Sequence, residues 1–121
     1  MGIVRIVTTS KINEGMLGEF NKFVENMVAN VCKHEEGWTE VYEYYADKEM
    51  TTCIIHAAYI NPGLFRKHME HTLKLADKTV GTVFEPLEIR VSGDIPPDLE
   101  QWLKARLGPI VSIYSKRLSV L

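Results

Sequence analysis

The hydrophobic pattern changes period repeatedly along this chain, and the order of those changes restricts the fold more than any single motif does. Residues 3–10 are rich in β-branched side chains and lead into a polar turn over residues 11–15, a pattern typical of a strand. The apolar residues that follow recur at spacings of three and four, and so predict one stripe of an amphipathic helix. They are Met16, Phe20, Phe23, Val24, Met27, Val28 and Val31. We expect Asn13 to be the N-cap of this helix and the helix to end near residues 36–37.

The next part of the chain contains two further strand patterns, followed by a second helical pattern. Residues 38–45 and 51–59 are both β-prone and are separated by a polar turn, so they predict a hairpin. Asn61 and Pro62 are the residue types expected at a helix N-cap and at the first helical position. A helical pattern then runs over residues 64–76, and we expect it to pause near Lys78 and to continue toward Val83.

A fourth strand, over residues 86–91, completes the order βαββαβ. This order predicts an α+β fold with a ferredoxin-like arrangement over residues 3–91. Residues 92–121 form a C-terminal helix-strand extension, with a short amphipathic helix over residues 97–107 and an apolar strand over residues 110–114. No internal repeat or long linker divides the chain, so we expect a single domain over residues 1–121.

The predicted sheet is apolar on both of its faces. The third strand, for example, places Ile55 and Tyr59 on one face and Ile54 and Ala58 on the other. Two helices cover only one face of a four-stranded antiparallel sheet, so the second apolar face needs another cover. The simplest cover is a second copy of the chain, and we therefore expect a homodimer in which two sheets pack face to face.

Charge and hydropathy exclude several classes of partner. The 121 residues include 14 Lys and Arg against 16 Asp and Glu, a formal charge of −2, which lacks the positive charge expected of a nucleic-acid binder. No apolar run approaches the roughly 20 residues of a membrane span, and the apolar N-terminal stretch is too short for a secretion signal. We therefore expect a cytoplasmic protein with no nucleic-acid or membrane partner, in which Cys32 and Cys53 are reduced thiols.

One segment, Tyr59-Ile60-Asn61-Pro62-Gly63-Leu64-Phe65-Arg66-Lys67-His68, resembles the antibiotic biosynthesis monooxygenase-like family of dimeric α/β barrels. In that family an aromatic residue, usually Trp, closes the third strand, and a histidine follows nine residues later in the helix. Tyr59 and His68 stand at these two positions. The stretch Glu36-Gly37-Trp38-Thr39 also resembles the family's turn into the second strand, and the tail is similar to an extension found on some members. The resemblance implies a ferredoxin-like barrel dimer with a pocket beside the histidine.

Members of this family have different activities, and each activity goes with its own set of site residues. Quinone-forming members need no cofactor and have Trp, Tyr and Asn at the positions of Tyr59, Phe65 and Ile55, and an Arg near Thr79. Haem-degrading members have Trp at the position of Tyr59 and an Asn where residues 7–9 stand. This chain departs from both sets. The resemblance therefore implies the pocket and His68, without haem.

His68 is the predicted catalytic residue. Phe65, His68 and Thr72 share the helix face that looks at the sheet, and a histidine there can act as a general base toward a phenol or an enol. The alternative is a buried histidine bonded to a backbone carbonyl. A flat aromatic ligand would stack among aromatic side chains, which alternatively form ordinary strand packing. The predicted substrate-binding residues are Tyr59, Phe65, Ile55, Thr72 and Trp38.

Metal and nucleotide sites are not expected. His68 and His71 are neighbours on one helix, but a metal needs a third and usually a fourth ligand, and His56 is the only remote partner. Phosphate-binding glycine loops are missing from the sequence. Three hypotheses follow: a cofactor-independent monooxygenase acting on an aromatic or polyketide-like small molecule, a non-redox isomerase or cyclase of the same shape, and a dimer that binds a small aromatic ligand without catalysis.

Overall fold

The strands and helices appear in the predicted order. A computed structural model describes residues 2–119. The elements are β1 (Val4–Ile12), α1 (Leu17–His34), β2 (Thr39–Ala46), β3 (Thr52–Tyr59), α2 (Pro62–Ala76), β4 (Phe84–Gly93), α3 (Pro97–Leu107) and β5 (Val111–Tyr114), with a 3-10 turn over Gly108–Ile110.

The five strands form one mixed sheet in the order β2-β3-β1-β4-β5. The first four are antiparallel neighbours and have the predicted ferredoxin-like order, which confirms the α+β fold. The fifth strand pairs in parallel with β4 of the same chain, after α3 has crossed between them. The C-terminal extension therefore widens the sheet and adds a third helix to the covered face.

Two irregularities in register decide which side chains face the helices. The β1–β4 register shifts between Thr9 and Ser10, which leaves Leu87 as an extra residue on β4. The β2–β3 register shifts between Thr39 and Val41, which leaves Glu40 as an extra residue on β2. Beyond these bulges, Tyr42 and Tyr44 pack toward the core on the helix side of the sheet.

The core consists of two buried clusters on the helix side of the sheet. The larger one joins β1, β3 and β4 to α2 and α3, and it includes Val4, Tyr59, Phe65, Val91 and Leu103. The smaller one lies beside α1 and consists of Ile12, Phe20, Cys53 and Phe84. Cys32 and Cys53 are not joined by a disulfide, and Cys53 is buried whereas Cys32 is exposed.

Two local predictions were wrong. Asn13 does not cap α1, because its side-chain nitrogen donates to the Thr82 carbonyl at 2.9 Å, and the helix begins only after Met16. The second helix does not continue toward Val83, because it ends at Ala76 and the chain then turns. Gly81 lies in this turn with a φ of 88°, a conformation that favours glycine. Its N–H donates to the Phe84 carbonyl at the start of β4.

The face of the sheet opposite the helices carries large apolar side chains that no element of residues 2–119 covers. Tyr45 is 58% exposed and Leu87 53% exposed on this face, and Val41 and Ile54 are each 38% exposed. The cross-strand pairs Val41–Ala58 and Tyr45–Ile54 lie here. We call this surface the open sheet face. Within residues 2–119, no helix is both long and apolar enough to cross a membrane.

Candidate active site

A cavity of about 610 Å³ lies between the sheet and the helices. Its lining includes members of both core clusters. Apolar side chains from every strand except β5 and from all three helices contribute to it. Among the lining residues are Ile6, Thr8, Phe23, Met27, Tyr42, Tyr44, Ile55, Ala57, His68, Met69, Thr72, Phe84, Ile89, Arg106 and Ile110.

Local sequence sets the start of α2 and thereby the position of His68. The Asn61 side-chain oxygen accepts the Leu64 N–H at 2.9 Å, and Pro62 occupies the first turn, which confirms the predicted cap. His68 follows in the second turn on the face that looks at the sheet, where only 5% of its side chain is exposed. Tyr59, at the end of β3, is completely buried beside it, with the two ring centroids 4.4 Å apart.

A buried carboxylate holds the histidine. Glu35 lies directly after α1, and its side chain is 1% exposed. His68 Nδ1 is 2.8 Å from Glu35 Oε1 and 2.9 Å from Oε2. The Tyr59 hydroxyl donates to Glu35 Oε1 at 2.9 Å and is 2.6 Å from His68 Nδ1. Three polar groups from three elements are thus joined in an apolar interior.

Hydrogen-bond accounting assigns the proton on His68. A carboxylate only accepts, so its partners must donate: Tyr59 supplies its hydroxyl proton, and His68 supplies Nδ1–H. Burial raises the pKa of the Tyr59 phenol above its ordinary value, which keeps this donor neutral. Neutral imidazole with its proton on Nδ1 has its lone pair on Nε2. Because Nδ1 is directed at Glu35, the Nε2 edge of the ring is the part available to the cavity.

Two tyrosines of β2 face the same cavity. The Tyr42 and Tyr44 hydroxyls are 2.8 Å apart, and the Tyr42 ring packs edge-on to His68 with a centroid distance of 5.6 Å. Burial raises the pKa of both phenols, to about 12 for Tyr44, so both are neutral. Whichever hydroxyl donates to the other, one O–H proton has no acceptor within residues 2–119. The pair can therefore donate a hydrogen bond into the cavity.

The structure places the predicted site residues in three different surroundings. His68, Ile55 and Thr72 line the cavity. Tyr59 and Phe65 are fully buried and do not line the cavity. The Tyr59 ring contacts His68, and the Phe65 ring packs edge-on to Tyr59 with a centroid distance of 6.0 Å. Trp38 packs against the outside of the larger core cluster.

Glu35 was missed by the sequence analysis, although it carries a recognisable feature. It stands at the C-terminal end of α1, where the helix dipole disfavours a carboxylate. A negative residue at this end needs a compensating donor, and here it has two. Tyr42 and Tyr44 were recognised only as members of an aromatic cluster. Their side of the sheet depends on the β2 bulge.

The remaining histidines lie outside this arrangement. His71 packs against His34 with a centroid distance of 5.7 Å, and His56 is on the open sheet face beside Tyr45. Within the part of the chain that the structure describes, no three His, Cys, Asp or Glu residues are grouped to hold a metal ion.

No protein-family model and no curated protein sequence matches this chain significantly. Solved structures do match. MupZ of Pseudomonas fluorescens is similar over 100% of this chain and 95% of its own, with a TM-score of 0.78 at 13% identity. Rv0793 of Mycobacterium tuberculosis matches 74% of this chain and 92% of its own, with a TM-score of 0.63 at 14% identity.

A Caulobacter crescentus protein named as a candidate antibiotic biosynthesis monooxygenase matches 74% of this chain and 87% of its own, with a TM-score of 0.59 at 20% identity. Two further matching structures, from Bacteroides thetaiotaomicron and Nitrosomonas europaea, have the same name. This is the family that residues 59–68 resemble. At these identities the likeness establishes the fold, which this chain shares with them.

Proposed function

We propose that this protein is a cofactor-independent monooxygenase in which His68 removes a proton from an aromatic or polyketide-like small molecule. One observation carries the proposal: His68 lines an apolar cavity while its Nδ1 is bonded to the buried Glu35. A base whose orientation and tautomer are set by a second group is the arrangement that general-base catalysis requires. Glu35 and Tyr59 are positioning residues, and His68 is the catalytic residue.

The proposed reaction begins with proton transfer and ends with a carbonyl. His68 Nε2 takes a proton from an activated CH₂ of a phenolic or enolic substrate, and the Tyr42–Tyr44 pair donates a hydrogen bond to the oxygen on which negative charge develops. The carbanion passes one electron to O₂, and the resulting radical pair combines to a peroxide anion. His68 returns its proton to this anion, and the hydroperoxide so formed loses water, so that CH₂ and O₂ become C=O and H₂O.

The cavity has suitable properties for this chemistry. Its volume of about 610 Å³ lies within the range of small-molecule sites, roughly 300–1,000 Å³. Its lining is mainly aliphatic and aromatic, so a bound ring system contacts mostly apolar side chains while the carbanion exists.

The Tyr42–Tyr44 pair also supports a second candidate. A base beside a neutral hydrogen-bond donor is sufficient to form and stabilise an enolate, and this step needs no O₂. An isomerase or cyclase would use the same two groups and return the proton to another atom of the substrate. Consumption of O₂ distinguishes the two reactions.

The test uses 1,8-dihydroxyanthrone as the probe and an oxygen electrode as the detector. We expect the protein to accelerate O₂ uptake above the uncatalysed rate, and His68→Gln to lower the catalysed rate on the order of 10²–10⁴-fold. His56→Gln is the matched control, because His56 is on the opposite face of the sheet. Full activity in His68→Gln would contradict the proposal. Anaerobic turnover of an enolisable ketone would favour the isomerase, and binding without any turnover would favour a non-catalytic binding protein.

We further propose that the protein is a homodimer joined through the open sheet face. The support is the row of exposed apolar side chains on this face, whose other side is already covered by three helices. The cavity lies on the helix side, so each subunit would have its own site.

A further inference from the structure

Helix α3 brings a permanent cation to the cavity. Arg106, in the last turn of α3, lines the cavity but is exposed overall, which puts it at the mouth. Among the lining residues in the described part of the chain, no Lys and no other Arg occurs. The other ionisable lining residues are His68, Asp77 and the two neutral tyrosines.

The Arg106 guanidinium is held without a carboxylate partner. Its Cζ lies 5.4 Å from the centroid of the Trp102 ring, and the Cζ of Arg66 lies 4.9 Å from the same centroid. An aromatic ring attracts a cation through its face and supplies no carboxylate, so this contact leaves guanidinium N–H groups available to an anion. Arg66 also pairs with Glu70 at 3.9 Å, whereas no acidic side chain within residues 2–119 lies within 4.0 Å of Arg106.

We propose that Arg106 binds a carboxylate of the ligand, so that the cavity selects aromatic or polyketide-like acids over neutral molecules of the same shape. A guanidinium recognises a carboxylate with two parallel N–H···O bonds. Asp77, which also lines the cavity, repels a carboxylate, and this orients the acid group toward α3. The identification of the ligand as a substrate rests on the proposed function. The binding preference does not.

The experiment compares two probes that differ in charge and hardly in shape, 2-naphthoate and 2-naphthamide, by isothermal titration at low salt. We expect the protein to bind 2-naphthoate at least about tenfold more tightly, the effect of one charge-assisted pair at a partly solvated site. Arg106→Gln should abolish this preference and leave the affinity for 2-naphthamide within about twofold. Arg66→Gln is the matched control, because Arg66 stacks on the same tryptophan but does not line the cavity, and the preference should survive in it.

Equal affinity for the two probes in the unmodified protein would overturn the inference. A preference that survives in Arg106→Gln, or no binding of either probe at millimolar concentration, would do the same. The result of this binding experiment is independent of the result of the O₂-uptake experiment. If His68 is not a base, the preference for 2-naphthoate still appears. If Arg106 is not an anion site, O₂ uptake with the neutral anthrone still depends on His68.

Discussion

At the scale of single residues, Glu35 places a carboxylate where two physical effects oppose it. It lies at the negative end of the α1 dipole, and its side chain is withdrawn from water. Donation from Tyr59 and His68 offsets both effects, and in return the carboxylate sets the orientation and the proton of the imidazole. A structural histidine and a positioned base would both make this bond, so the two roles differ only in whether activity depends on the tautomer that Glu35 sets.

A substitution of Glu35 tests that distinction. In Glu35→Gln the amide can donate to His68 Nδ1, which allows the proton to move to Nε2 and removes the basic lone pair from the cavity. We expect catalysed O₂ uptake to fall on the order of 10²–10⁴-fold, with a small change in the melting temperature. Nitrogen NMR of His68, which distinguishes the two tautomers, should report the shift.

Glu35→Ala provides the structural comparison. It removes the acceptor that Tyr59 and His68 share and should cost about 1–3 kcal/mol of unfolding free energy in all, because the Tyr59 hydroxyl, 2.6 Å from His68 Nδ1, can then donate to that nitrogen in the other tautomer. Unchanged activity in Glu35→Gln, with the proton still on Nδ1, would contradict the positioning role.

At the scale of elements, the β2–β3 hairpin carries both the cavity tyrosines and part of the open sheet face, and its turn depends on one side chain. Asp47 Oδ1 accepts the N–H groups of Thr51 at 2.8 Å and Thr52 at 3.0 Å. Asp47 Oδ2 accepts the Thr51 hydroxyl at 2.8 Å. The turn also holds Met50 at a φ of 57°, a conformation that is unfavourable for a residue with a side chain.

These bonds give the hairpin a pH dependence. The Thr52 N–H, followed by the hydroxyl and N–H of Thr51, lowers the pKa of Asp47 below its ordinary value. A carboxyl whose folded-state pKa is lowered contributes stability above its unfolded pKa, about 3.9, and loses that contribution as the pH falls through the folded value. We expect Asp47→Ala to lower the melting temperature at pH 7, and the difference from the unmodified protein to narrow as the pH drops below about 4.

Thermal unfolding followed by circular dichroism at several pH values measures this effect. Glu49→Ala, at an exposed acidic residue of the same turn, is the control and should show no such difference. A difference for Asp47→Ala that stays constant from pH 7 to pH 2 would be inconsistent with stabilisation by the ionised carboxylate.

At the scale of the whole molecule, the helices cover one face of the sheet and leave the other face open. All three helices and the cavity lie on one side. The open sheet face contains Tyr45, Ile54 and Leu87, and apolar surface of this kind is removed from water when it packs against a like surface. A stable interface of this type buries about 800 Å² on each partner.

The dimer prediction is tested by a charge placed on this face. We expect light scattering at micromolar concentration to give about twice the 13.8 kDa mass of one chain. Ile54→Glu should shift the mass toward that of the monomer, because a carboxylate would have to be buried in the interface. The same substitution at Leu118, which is 98% exposed and lies outside the strands, should leave the dimer intact. A monomer at the outset would refute the proposal.

The local elements and the faces they present could be predicted from neighbouring residues alone. The spacing of apolar residues and the turn residues placed five strands and three helices in order. The Asn61 cap began α2, and the three- and four-residue spacing directed His68 toward the sheet. These features could be predicted because neighbouring residues determine them: backbone geometry sets the side-chain period, and a cap bonds a nearby N–H. The predicted N-cap of α1 was wrong because the Asn13 side chain bonds to Thr82, a residue distant in the sequence.

Only the tertiary structure decided how the site is assembled. Glu35 and His68 are 33 residues apart and meet because two helices pack on one sheet. The bulge in β2 directs Tyr42 and Tyr44 into the cavity, and the crossover of α3 brings Arg106 to its mouth. The physical reason is that a hydrogen bond between distant residues depends on the sum of many packing contacts. No local pattern in a single sequence records that sum.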